Sequence, residues 1–467
     1  MAHQDDIAMM AHLMRRAGFG ASRDELETRV AKGYDATVEE LLHPDTQPPV
    51  DPYTLLRHQP AALLPGGQPP MGNVNYMYYL VNTKRPLEEK MALFWHHVFA
   101  TGNSKVDNYD QLLEQIDMFR KYGMGNYREL LVRIARNPTM LFWLDNNQNH
   151  GTAVNENWGR ELLELFSLGA GNYTEKDVRE ASRAFTGWTF ETKLPRLPYG
   201  RFPWKFEYRA EDHDDGEKEF LGHKGNLNGE DIIDIVMQQP ANAKFICRHL
   251  YNFFVADEPQ VPAWPIEAPR DPAALDALCK VFRETKGDMV PVLRTIFTSD
   301  FFKNARFQHL KSPAEVVVGT LRLVGGYELP KPGYGELSMQ PAYMGQDLLN
   351  PPSVEGWHTG KEWINSGSLM SRINFVAAQI GNPDLPGVKA IIERLKAHGK
   401  QTPEQLVSNC LDLLGPVEVG ADTKKELTDT AKQWGEIKWD GANAQIATQH
   451  TAEMLQLIVA TREYQFG

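Results

Sequence analysis

The chain has 467 residues, 42% hydrophobic and 24% charged, which is the composition of an ordinary folded protein and argues against a disordered or membrane-embedded one. Acidic residues outnumber basic ones by 61 to 49, the net charge is −12, and no long basic run occurs. Repulsion therefore disfavours nucleic acids and anionic membranes as partners, and a small molecule, a glycan or another protein is expected instead.

The N-terminus and the cysteines bear on location. The chain begins Met-Ala-His-Gln-Asp-Asp, which is acidic where a secretory signal requires a basic start. The uncharged stretch from His58 to Thr83 contains four prolines, so it offers no membrane-spanning helix. Cys247, Cys279 and Cys410 lie far apart in apolar helical patterns, which predicts buried free thiols and suits a reducing compartment. We therefore expect a cytoplasmic protein without a membrane span.

Helix signals recur along the whole chain. Ser22 and Thr174 each precede an acidic residue by three positions, as in capping boxes. Prolines stand where the first turn of a helix accepts them, at Pro86, Pro240, Pro272 and Pro313. Apolar 3.6-residue patterns predict further helices at about residues 5–17, 108–121, 127–136, 289–299, 367–380, 402–414 and 443–465. The predicted fold class is all-α (mainly α), a large multi-helix domain with a small β-hairpin insertion around residues 188–222.

The predicted hairpin rests on one alternating segment. Phe202, Trp204, Phe206 and Tyr208 alternate with polar residues and a proline, a period of two that is typical of a half-buried edge strand. Trp188-Thr-Phe190 is the expected partner strand, because a segment rich in turn residues separates the two.

Composition also suggests a division of the chain. The segment around residues 257–271 is rich in Pro and Ala, which is typical of a connection between domains. We therefore predict an N-terminal helical lobe at residues 1–256 and a C-terminal one at 270–467, with one continuous domain as the alternative.

The helix predicted from Pro86 to Phe99 carries two adjacent histidines. Its apolar residues form one stripe, His96 falls on the opposite side, and His97 borders the buried surface. His97 is thus a candidate acid, base or metal ligand. The alternative is a histidine held by a carbonyl or carboxylate at a helix–helix contact.

A second candidate helix runs from Asn155 to Gly169. Glu156, Arg160 and Glu164 are spaced four apart on its polar side, where ion pairs on a solvated face are the plain explanation. Glu161 lies at the edge of the apolar side, where an unpaired carboxylate is costly to bury. We therefore expect Glu161 to have a perturbed pKa and a partner, an arginine, a histidine or a metal ion.

Two polar loops follow. Glu211-Asp-His-Asp-Asp-Gly216 places His213 and Asp214 among further acids, a set that suits a divalent cation but is equally typical of a solvated turn. The loop from Met344 to His358, together with the segment from Gly360 to Ser366 that follows it, is rich in Trp, Gly and polar residues, which indicates either a binding loop or a cap anchored by tryptophan over helix ends.

Several strings in one order carry a family resemblance. They are Leu13 to Gly20, Lys90 to Phe99, Asn155 to Gly169, Ala184 to Trp188, His213 to Gly222, Lys311 to Glu315 and Asn350 to Trp357. Over about residues 10–380 the chain resembles the bacterial family called domain of unknown function 1800. The resemblance implies a mainly helical protein and a partner from a sulfatase-like family, whose genes often lie beside those of members. It implies no catalytic residue, and some relatives are exported.

Two hypotheses of function follow. The first is an enzyme, hydrolytic or oxidative, acting on a small or polysaccharide-like substrate. Its candidate catalytic residues are Glu161, Glu164, His97 and Arg160, and its candidate ligands for a divalent metal cofactor are His97, Glu161, His213 and Asp214. In the metal-free version, Glu and His act as base and acid. The second hypothesis is a non-catalytic binding or assembly factor that holds a partner protein or a glycan on the tryptophan-rich loop.

Overall fold

The computed structural model describes residues 2–58, 71–191, 204–441 and 443–467. These residues form 24 α-helices and two small antiparallel sheets, so the predicted mainly α fold is confirmed. The helices are α1 (Ala2–Arg16), α2 (Arg23–Lys32), α3 (Tyr34–Leu42), α4 (Pro52–His58), α5 (Met71–Asn82), α6 (Pro86–Val98), α7 (Asn103–Val106), α8 (Tyr109–Tyr122), α9 (Tyr127–Ala135), α10 (Pro138–Trp143), α11 (Asn157–Glu164), α12 (Glu175–Ala184), α13 (Gly229–Gln238), α14 (Pro240–Phe254), α15 (Pro272–Glu284), α16 (Met289–Thr298), α17 (Asp300–Lys303), α18 (Pro313–Val324), α19 (Tyr334–Tyr343), α20 (Ser366–Ile380), α21 (Pro386–Ala397), α22 (Pro403–Leu413), α23 (Ala421–Trp434) and α24 (Asn443–Val459). Within these ranges, no helix is both long and apolar enough to cross a membrane.

Helix starts follow the capping chemistry of the sequence. Thr174 and Asp177 form a reciprocal capping box at the start of α12, and the Ser22 hydroxyl accepts the Glu25 N–H at the start of α2. The four prolines expected in first turns begin α6, α14, α15 and α18. Local hydrogen bonding therefore fixes many of the helix boundaries.

The predicted hairpin is present. Strand β1 (Trp188–Glu191) pairs antiparallel with β2 (Lys205–Tyr208), with Trp188 opposite Tyr208 and Phe190 opposite Phe206. Phe202 and Pro203 of the predicted strand lie outside the described residues. A second pair, β3 (Lys218–Phe220) and β4 (His223–Gly225), was not predicted, because three-residue strands rich in charge carry no alternating pattern.

The chain divides into two compact units, each built from separate segments. Unit 1 comprises Met1–Leu87, Phe302–Leu348 and Thr359–Gly467, and unit 2 comprises Glu88–Phe301 and Leu349–His358. The predicted lobe boundary around residues 257–269 falls inside unit 2. The division into lobes 1–256 and 270–467 stays a prediction.

Helix α6 is buried on almost all sides in unit 2, and the predicted single apolar stripe is wrong. Trp95 stacks against Phe99 at 5.3 Å and against Tyr127 at 5.6 Å between ring centroids. His96 is fully buried and His97 is 7% exposed, so both histidines belong to the interior. The three cysteines are buried free thiols, as predicted.

Candidate functional site

Helix α11 ends at a turn, and the residues of this turn pack against α14. After Glu164 the chain bends back, and the N–H of Gly169 donates to the carbonyl of Leu163. Gly169 has φ +79°, and a Cβ there would lie 2.9 Å from the ring of Phe245. Only glycine accepts this backbone so close to an aromatic ring. The close approach forms one wall of a cleft.

The cleft lies within unit 2 and has a volume of about 360 Å³. This is the size range of small-molecule sites. Its lining includes two carboxylates, one exposed lysine, two aromatic rings and a glycine-rich turn: Glu164, Glu355, Lys244, Phe245, Trp264 and residues 169–172. The cleft is therefore a candidate binding site for a ligand with both apolar and polar faces.

The aromatic wall of the cleft is held from behind. His249 contacts the rings of both Phe245 and Trp264, at centroid distances of 4.7 and 4.6 Å, and these two rings lie 5.5 Å from each other. The Arg248 guanidinium lies 4.8 Å from the Trp264 ring centroid and forms a buried ion pair with Glu258 at 2.7 Å. Trp264 is thus a preorganised surface, since ordered neighbours fix the position of its indole.

Glu161 on α11 lies next to the acidic end of the cleft. Burial is the largest effect on its carboxyl, and it raises the pKa of Glu161 to about 7 together with the nearby Glu164 and Glu355 carboxylates, against the opposing charge of Arg160. In the part of the chain that the structure describes, no hydrogen bond or ion pair neutralises its carboxylate. The perturbed pKa of Glu161 was predicted. The arginine, histidine or metal ion that was expected to bind its carboxylate is not found among the described residues.

The neighbours of Glu161 on the same helix are engaged differently. Arg160 makes a two-pronged ion pair with Glu175, at 3.0 and 2.7 Å, and lies 3.5 Å from Glu156. Glu164 accepts a 3.0 Å hydrogen bond from the Tyr173 hydroxyl. Both nitrogens of this Arg160 ion pair are therefore occupied by a protein carboxylate, which leaves Arg160 poorly placed for the predicted catalytic role.

His97 lies beneath the loop that carries Glu355. Its ring stacks on Trp357 at 6.2 Å, and its Nδ1 accepts the Trp357 backbone N–H at 3.3 Å. Burial, with a smaller effect of His358, lowers the pKa of His97 to about 4. A Cβ on Gly356 would lie 2.3 Å from the His97 carbonyl oxygen, so the loop fits tightly over this helix. Trp357 thus acts as the tryptophan anchor that the sequence allowed.

His213 and Asp214 are engaged apart from His97. The His213 Nδ1 lies 2.8 Å from the Thr186 carbonyl, and Asp214 binds Arg183 through both oxygens, at 2.7 and 3.1 Å. The hydrogen bonds from Arg183 hold the pKa of Asp214 below its usual range. Among the described residues, no group of three or more His, Cys, Asp or Glu side chains is arranged to hold a metal ion. The four predicted metal ligands are therefore not brought together.

Sequence reasoning missed four residues of this region: Phe245, His249, Trp264 and Glu355. Three of them belong to α14 and to the Pro-rich segment after it, which the composition marked as a lobe connection. Their meeting with α11 is a long-range contact that no local pattern encodes. Only the loop from Met344 to His358, which contains Glu355, was singled out.

The comparisons with known proteins concern the whole chain. No curated protein and no solved structure matches it. The model of one family, described as "Protein of unknown function (DUF1800)", matches residues 12–466. The match therefore includes the segment after about residue 380, which the sequence strings had left unplaced. Because it covers nearly the entire length, the chain belongs to the DUF1800 family.

Proposed function

We propose that this protein is an acid/base enzyme that hydrolyses a polysaccharide-like substrate in the cleft of unit 2. One observation carries the proposal: Glu164 and Glu355 line a cleft walled by Trp264 and Phe245, and Glu161, close enough for both carboxylates to raise its pKa, has no neutralising partner among the described residues. Carboxyl groups in different environments are the usual catalytic groups of glycoside hydrolysis.

The wall of the cleft supports a sugar as the substrate. A sugar ring has apolar C–H faces that pack on an aromatic ring, and hydroxyls that require polar partners at its edge. Trp264 and Phe245 supply aromatic rings for the C–H faces. Glu164, Glu355 and Lys244 supply polar partners for the hydroxyls. A fixed indole also reduces the entropy lost on binding.

The division of roles follows from the environments of the carboxyl groups. With a pKa of about 7, Glu161 still holds a proton near neutral pH and can donate it to the leaving oxygen as the glycosidic bond breaks. The attacking water forms the new C–O bond and gives its proton to a carboxylate, for which Glu355 on the facing loop is the candidate. After release of product, Glu161 regains a proton from solvent and Glu355 gives the proton from water to solvent, so both carboxyl groups return to their starting states.

The test is release of reducing ends from a panel of neutral and acidic polysaccharides and from p-nitrophenyl glycosides. We expect at least one substrate to be cleaved, and Glu161→Gln and Glu355→Gln to lower kcat by at least 100-fold. Glu156→Gln, on the polar side at the start of α11, is the matched control and should retain activity.

Binding measurements distinguish the proposal from its alternative. If a polysaccharide binds without being cleaved, and Trp264→Ala abolishes binding, the protein is a glycan-binding factor and the enzyme proposal is wrong. That alternative cannot use the loop tryptophans as its surface, since Trp357 and Trp363 are 4% and 6% exposed. Absence of both binding and cleavage across the panel overturns the assignment of a sugar ligand.

A further inference from the structure

Unit 1 contains a cavity that the proposed function does not use. Its volume is about 70 Å³, several times the space that one water molecule needs. Two strings that carried the family resemblance meet there: Arg15 and Arg16 at the end of α1, and Lys311 and Glu315 at the start of α18. The sequence offered no reason for these strings to lie together.

The Arg15 guanidinium presents an unused fork at this cavity. Its Nη1 donates to the Gly415 carbonyl at 2.7 Å, and its plane lies 4.8 Å from the ring centroid of Phe307. Its Nε and Nη2 are buried and have no hydrogen-bond partner among the described residues. These two N–H groups lie on the same edge of the guanidinium and point in parallel, the geometry that binds two oxygens of one oxyanion.

Positive charge exceeds negative charge around the cavity. The charged side chains of its lining are Arg15, Arg16 and Lys311 and a single acidic one, Glu315, which already pairs with Arg16 at 2.9 Å. Lys311 donates to the Tyr464 carbonyl at 2.6 Å, a neutral acceptor. Burial and the neighbouring arginines lower the pKa of Lys311 to about 7. Lys311 interacts electrostatically with Glu315, and Arg15 interacts with Glu418 from outside the lining. The three basic side chains still outnumber these acidic ones, and this excess favours an anion in the cavity.

We infer that this cavity binds a small oxyanion, a phosphate, sulfate or carboxylate group, held by the Arg15 fork and by Lys311. The cavity has room for such a group but not for a sugar or a nucleotide, so anything larger must extend out of it. Chloride should bind more weakly, because one spherical ion cannot place a separate acceptor atom opposite each of the two parallel N–H groups.

The experiment uses the full chain and inorganic anions. Isothermal titration with phosphate, sulfate and acetate is compared with chloride at equal ionic strength, together with thermal denaturation. We expect saturable binding of one oxyanion per chain and a higher Tm than in chloride. The anion that binds most tightly identifies the class, tetrahedral for phosphate or sulfate and planar for acetate.

Two variants and one control test the role of the fork. Arg15→Gln should weaken binding at least tenfold, and Arg15→Lys, which keeps the charge without the fork, should also weaken it. Arg133→Gln, at an exposed ion pair on α9, should bind as the unmodified protein does. If the unmodified protein shows no saturable binding, or if Arg15→Gln binds equally well, the inference is wrong. A Tm gain in chloride equal to that in phosphate also overturns it.

Discussion

Replacing Glu161 with Gln should make the protein more stable above neutral pH. Glutamine keeps the size and shape of the side chain but cannot ionise. In the folded protein the pKa of Glu161 is raised from 4.5 to about 7, mainly by burial. Between these two values the folded state holds a proton that the unfolded state has released, so stability falls as the pH rises through this interval. Glutamine removes that loss.

The size of the effect can be worked from the same values. A tenfold change in an acid dissociation constant corresponds to about 1.4 kcal/mol, so a rise of the pKa from 4.5 to about 7 sets an upper limit of about 3.5 kcal/mol. Glu161 is only partly buried, and solvent screens its charge. We therefore expect a gain of about 1–2 kcal/mol at pH 8, and almost none at pH 4.5, where both side chains are neutral.

The assay is denaturant unfolding of the unmodified protein and of Glu161→Gln at intervals from pH 4.5 to 8. Glu156→Gln is the control, because its side chain is 42% exposed and lies 3.5 Å from Arg160. A difference between Glu161→Gln and the unmodified protein that stays constant with pH would refute the reasoning. So would a pH dependence that is equal in the two variants.

Three further substitutions test the packing that supports this account. Phe19→Ala should cost about 3–5 kcal/mol in denaturant unfolding, because Phe19 is 3% exposed; a loss under ~1 kcal/mol would contradict its burial. Gly169→Ala should cost about 1–3 kcal/mol and weaken ligand binding in the cleft, through positive φ and contact with Phe245, whereas Gly222→Ala, with φ +82°, open space around it and a place outside the cleft lining, should leave binding intact. Asp214→Asn should lose about 1 kcal/mol at pH 7, and the loss should shrink as the pH falls from 3.8 through the lowered pKa of Asp214, because both states then become protonated; a loss that does not shrink as the pH is lowered would contradict it.

The helical fold could be predicted because its signals are local. Prolines at first-turn positions and the Thr174 capping box act within four residues, and the structure begins helices at each of them. Helix α11 is the exception, since the apolar pattern continued to Gly169 and the helix ends at Glu164. The hydrogen bond from the Gly169 N–H to the Leu163 carbonyl terminates the helix, and hydrophobic periodicity does not predict such a bond.

The candidate site was only partly predictable, because its residues meet through tertiary contacts. A helical wheel places Glu161 at an apolar edge, and that much was correct. The wheel gave no information on Trp264 or Glu355, which reach the cleft from an irregular segment and from a loop. For His97 the wheel indicated a boundary position, whereas the loop residue Trp357 covers the ring. The position of a residue on one helix does not predict which distant segments of the chain cover that residue.

Burial explains why Glu161, rather than His97, is the stronger candidate for proton transfer. Desolvation disfavours the charged form of any group, so it raises the pKa of a carboxyl toward neutrality and lowers that of an imidazole away from it. In unit 2 this gives Glu161 a pKa of about 7 and His97 one of about 4. The neutral His97 ring also already accepts the Trp357 N–H through Nδ1. The same burial that makes Glu161 a candidate proton donor near pH 7 therefore keeps His97 neutral, and His97 binds the loop that carries Glu355.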